Sequence, residues 1–146
     1  MTNNVHNIKI INCIFCDDIR TEQSGKEILI GVYTGDLVVP KLPWKMMGLS
    51  VWMQIELPAS RETEIAIRLL NTFGTRIAEL SFSATPLERT DARSTSPVGF
   101  AFRTGPFEIQ KAGELLIEFR DIEGRWERGR SLLVVTQPEP IQSPGK

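Results

Sequence analysis

The sequence predicts an all-β protein, an antiparallel β-sandwich of about seven or eight strands, immunoglobulin-like or C2-like in its broad layout. Two observations carry this. The first is alternation with a period of two residues. In GLSVWMQIELP, Leu49, Val51, Met53, Ile55 and Leu57 alternate with Ser50, Trp52, Gln54 and Glu56, as in a strand with one dry and one wet face. GELLIEFRD does the same, setting Leu115, Ile117 and Phe119 against Glu114, Glu118 and Arg120. The second observation is the turn chemistry between such runs, at Ser24-Gly25, Phe73-Gly74, Ala112-Gly113 and Glu123-Gly124.

The elements follow in order. Residues 1–6 form a polar arm expected to be flexible, residues 7–136 a single sandwich domain, and residues 137–146 (QPEPIQSPGK) a proline-rich, disordered tail. NIKIINCIFC and the β-branched KEILIGVY are the first two strands, the latter with a glycine inside it. SRETEIAIRLLNTFG is ambiguous, because Ser60 and Gly74 sit where helix caps would. A helix would leave Ile67 on the wet side, whereas a strand puts Thr63, Ile65, Ile67 and Leu69 on one face, so a strand is expected. RIAELSFSA, VGFAFR and SLLVVTQ complete the set, with TPLERTDARSTSP at 85–97 as a long polar loop.

Bulk properties exclude several classes of function. The chain has 146 residues, of which 17 are Lys or Arg and 18 are Asp or Glu. This near-neutral balance argues against nucleic acid or an anionic membrane as partner. No apolar run is long enough to span a bilayer, and MTNNVHNIKI lacks the plan of a secretory signal. With two cysteines and no export signal, reduced thiols and a cytoplasmic address are expected.

The stretch IFCDDIRTEQSGKEILIGVYTGD, preceded by Cys13, holds the densest chemistry. Cys13 and Cys16 read CxxC, a spacing shared by redox motifs and half zinc sites. Along a strand, however, residues three apart point to opposite faces with Cα atoms about 10 Å apart, beyond the roughly 7 Å a disulfide tolerates. Structural, partly buried thiols are therefore expected. A two-residue turn at Ser24-Gly25 would pair Gln23 with Lys26, Asp18 with Gly31 and Asp17 with Val32. One aspartate is then expected to cap backbone N–H groups or to pair with an arginine such as Arg20, and Gly31 marks a bulge or a close backbone approach. The alternative is a divalent cation such as calcium, held at the rim by Asp17, Asp18 and Asp36.

Other features carry weaker chemistry. His6 is the only histidine and lies in the arm, so no Ser-His-Asp or Cys-His arrangement is expected. No GxxxxGK[ST], GxGxxG or HExxH pattern occurs. RDIEGRWERGR surrounds Trp126 with arginines, Arg128 among them, but Asp121, Glu123 and Glu127 cancel much of the charge, as on a solvated hairpin rim. PKLP at 40–43 matches PxxP and reads as a connection. Trp52 stands on the face that ought to be wet. Either a segment such as 85–97 folds over it, or it belongs to a partner surface.

FCDDIR followed by SGKEILIGVYTGDLVVP resembles the N-terminal signature of a family of small bacterial proteins of unknown function, with an FCDD-like start, a Gly-Lys turn and an LIGVY-like strand. PFEIQKAGELLIEFRDIEGR is similar to that family's C-terminal part. The resemblance implies a compact bacterial β-rich domain and brings no catalytic residue with it. The function expected is thus a non-enzymatic, cofactor-free interaction module, meeting a protein partner or a second copy through Trp52, Trp126 and Arg128. A cation- or ligand-binding sandwich is the second expectation and a hydrolase the third.

Overall fold

The computed structural model describes residues 9–58, 63–84, 95–120 and 124–138. His6, residues 85–94 of the expected loop and residues 139–146 of the expected tail lie outside the described residues. The described chain is all-β, as expected. In order, the strands are β1 (Lys9–Thr21), β2 (Glu27–Val32), β3 (Leu37–Val39), β4 (Trp44–Met46), β5 (Ser50–Pro58), β6 (Thr63–Leu70), β7 (Arg76–Ala84), β8 (Thr95–Arg103), β9 (Phe107–Ile109), β10 (Gly113–Arg120) and β11 (Trp126–Thr136). The three short strands β3, β4 and β9 are too brief for alternation to announce them, and PKLP forms the link between β3 and β4.

Two sheets make the sandwich. One has the order β2-β1-β5-β8 and the other β3-β11-β10-β6-β7, with β4 and β9 paired separately. All pairings among them are antiparallel except β3 with β11. The alternation works as it should: Leu49, Val51, Met53, Ile55 and Leu57 are at most 1 % exposed, and they share one core with Ile65, Ile67, Leu69, Leu115 and Ile117 of the opposite sheet. The ambiguous segment is a strand, β6, with Ile65, Ile67 and Leu69 turned inward. Burying such side chains supplies the main driving force, roughly 1.5–3 kcal/mol each.

Two seams join the sheets. On one side Phe82 of β7 meets Phe100 of β8 edge to face, with ring centroids 5.0 Å apart. On the other, β1 faces β11, and the chain crosses from the first sheet to the second through residues 33–36. Of the loop expected at 85–97, Thr95, Ser96 and Pro97 belong to β8. Proline is tolerated there because β8 is an edge strand. At the other end Gln137 donates its amide to the Val39 carbonyl, at 2.8 Å. No helix among the described residues is long and apolar enough to cross a membrane.

Candidate functional site

The β1–β2 hairpin departs from the expected register by one residue. The Glu22 amide donates to the Lys26 carbonyl and the Gly25 amide to the Glu22 carbonyl, at 2.8 and 2.9 Å. Gln23, Ser24 and Gly25 therefore form the loop, with Gly25 at φ 86°. A three-residue loop that ends in left-handed glycine is the next commonest hairpin after the two-residue turn. Asp18 consequently pairs with Ile30, not with Gly31, and Cys16 with Val32.

That single step places Asp17 over Gly31. A Cβ built on Gly31 would lie 2.3 Å from Asp17 Oδ2, and the backbone there has φ 68°. Gly31 is a close approach without any shift of register. The Tyr33 hydroxyl donates to Asp17 Oδ1 at 2.7 Å. Burial, and then this bond to a carboxylate, push the Tyr33 phenol well above its ordinary range.

Asp18 points to the other face. It accepts from the Ile19 amide at 2.9 Å and from Arg20 Nε at 3.3 Å, with Arg103 of β8 at 3.6 Å. The Arg20 hydrogen bond, seconded by the Ile19 amide, holds its carboxyl below the usual aspartate range. This is the capping and arginine pairing expected of one aspartate. Asp36 is exposed in the link to β3. The cation site of Asp17, Asp18 and Asp36 is not assembled. Adjacent residues of one strand face opposite ways, and no group of three or more His, Cys, Asp or Glu among the described residues could hold a metal ion.

Cys13 and Cys16 lie in one continuous strand and are free thiols, the first half-buried and the second fully buried. Burial pushes the Cys13 thiol up to about 12, Arg130 opposing weakly, and burial likewise raises Cys16.

Of the expected interaction residues, Trp52 is half-buried. It lines a surface hollow with Gly99 and with Gly25, Lys26, Glu27 and Leu29, so the β1–β2 hairpin lies beside it. Trp126 sits on the outer face of the five-stranded sheet with the Arg68 guanidinium 4.0 Å above its ring and Arg120 at 6.0 Å. Arg68 also pairs with Glu118 at 2.8 Å, and Arg128 pairs with Glu114 at 2.5 Å. This face is thus a self-paired ladder of charges, and both Trp126 and Arg128 have partners within the chain.

The feature that sequence reading missed is the outer face of β2. Ile28, Ile30 and Val32 occupy alternate positions of that strand and are 43, 39 and 43 % exposed. No strand among the described residues pairs with its outer edge. The alternation was visible in KEILIGVY, but position at a sheet edge is not a property of one strand.

A family model for a family of unknown function, DUF6941, matches residues 12–135. The chain belongs to this family. The match spans the sandwich from β1 nearly to the end of β11. It agrees with the resemblance drawn from the sequence and, like it, assigns DUF6941 no activity. No curated protein matches the chain.

Proposed function

We propose that this protein is a non-catalytic interaction module that associates with a second copy of itself by pairing β2 to β2. The observation that carries this reading is the exposed apolar stripe of Ile28, Ile30 and Val32 on an unpaired edge strand. Soluble proteins usually blunt such edges with charge, proline or cover, because bare edges pair with other strands. Here the stripe itself carries no charge.

A second copy suits it better than an unrelated strand. A two-fold axis through Ile30 sets two β2 strands antiparallel, with Ile30 against Ile30 and Ile28 against Val32. Such an interface is isologous and closes on itself. A cytoplasmic setting fits two free thiols and belongs to the same proposal. The stripe is short, so micromolar association is expected.

Sedimentation velocity between about 1 and 300 µM is the test, a range that brackets a micromolar constant. The wild type should pass from monomer to dimer, and Ile30→Lys should stay monomeric with an unchanged melting temperature. A wild type that remains monomeric throughout overturns the reading. A dimer indifferent to Ile30→Lys also overturns it and moves the interface to another face.

A further inference from the structure

Along the seam between β1 and β11 lies an open hollow of about 400 Å3 that the self-association reading does not use. That volume lies within the range typical of small-molecule sites. Its position follows from the topology, for the crossover from β2 to β3 lines it with Thr34 and Gly35. Ile14 and Leu132 supply apolar wall, Leu132 as a member of the core, and Cys13 packs against that core beside them.

One charge lines this hollow, Arg130, and no Asp or Glu does so among the described residues. Strand alternation alone does not put Arg130 there. Between Leu116–Ser131 and Glu118–Arg128 the register of β10 and β11 shifts by one, so Gly129 and Arg130 together oppose Ile117. Such a bulge re-aims the side chain it carries. Gly129 makes the bulge fit: a Cβ there would stand 2.9 Å from the Ile117 carbonyl oxygen and 3.0 Å from Ile10 Cδ1. Arg128, two residues earlier on the same strand, is paired with Glu114. Arg130 has no carboxylate partner among the described residues.

We propose that this hollow is a binding site for a small organic carboxylate with an apolar body, the carboxylate taken by Arg130 and the Thr34–Gly35 turn and the body lodged against Ile14 and Leu132. A guanidinium recognises a carboxylate through paired N–H donors, and the backbone and hydroxyl of the turn add neutral donors. The apolar wall contributes in proportion to the area it covers. A divalent cation is the wrong ligand for this lining, since its one charge is positive.

The test is a titration of the full chain with octanoate, followed by 1H–15N correlation spectra, with octan-1-ol as the uncharged control. Saturable shifts are expected at the amides of Ile14, Gly35 and Ser131. Arg130→Gln should weaken octanoate at least about tenfold, as loss of a charge-assisted pair requires. Lys41→Gln, on the link between β3 and β4, should change nothing. Ile30→Lys should bind octanoate like the wild type, which separates this site from the proposed dimer interface. No saturable shift at about 10 mM, an unaltered affinity in Arg130→Gln, or equal binding of octan-1-ol would each overturn the proposal.

Discussion

Asp17 and Gly31 face each other across the first hairpin, and their pairing was set by a turn one residue longer than the shortest available. The consequence is chemical. A carboxylate occupies the space where any other residue at position 31 would carry its Cβ, and the Tyr33 hydroxyl fastens it there. Gly31→Ala combines this clash with a left-handed backbone, so it should destabilise by about 1–3 kcal/mol in urea unfolding. Asp17→Ala should relieve the clash and leave the backbone strain. The double variant should therefore be less damaged than the sum of the two single ones by about 0.5 kcal/mol or more. Strict additivity would show that the two residues do not touch. The sequence placed both residues in a hairpin and marked Gly31 as a bulge or a close approach, of which the second holds. It missed the partner because turn length, which fixes register, follows from backbone conformations that Gln23-Ser24-Gly25 does not dictate uniquely.

At the scale of the element, β6 is the instructive case. Its sequence carries helix-capping residues at both ends, yet three alternate positions are apolar, and alternation decided the outcome. The two faces should respond differently to truncation. Ile67→Ala, deep between the sheets, should cost about 2–5 kcal/mol in denaturant unfolding. Glu64→Ala, on the exposed face and paired with Arg120 at 3.3 Å, should cost under about 1 kcal/mol. Equal costs would mean that the strand does not present one dry face. β11 teaches the converse lesson. SLLVVTQ announced its second half, but its first half, Trp126 to Arg130, reads as a charged rim and becomes strand through pairing with β10. The bulge at Gly129 and Arg130 lies in that unannounced half, so the hollow's one charge was legible as a residue and not as a site.

At the scale of the whole molecule, the two sheets share one core, and a single-core domain of this size is expected to unfold as one unit. Cys13 and Cys16 test this without any mutation. Cys16 is fully buried and Cys13 half-buried, and burial raises both thiols, Cys13 to about 12, which disfavours the reactive thiolate at neutral pH. Native protein at neutral pH should react slowly with iodoacetamide at both positions. Labelling of each should rise at the same urea midpoint as the loss of far-ultraviolet circular dichroism. Labelling of Cys13 ahead of that midpoint would mean that the β1–β11 seam opens separately.

The sequence by itself determined the β class, the faces of β5, β6 and β10, and the harmlessness of the CxxC spacing, since each depends on a periodicity carried by one segment. Tertiary structure alone decided that β2 lies at a sheet edge, where the crossover lined a hollow, and that Arg130 faces it without a carboxylate among the described residues. Those properties arise between segments distant in the chain. They depend on which strands neighbour one another, and the alternation that builds a strand is the same whether its edge is covered or bare.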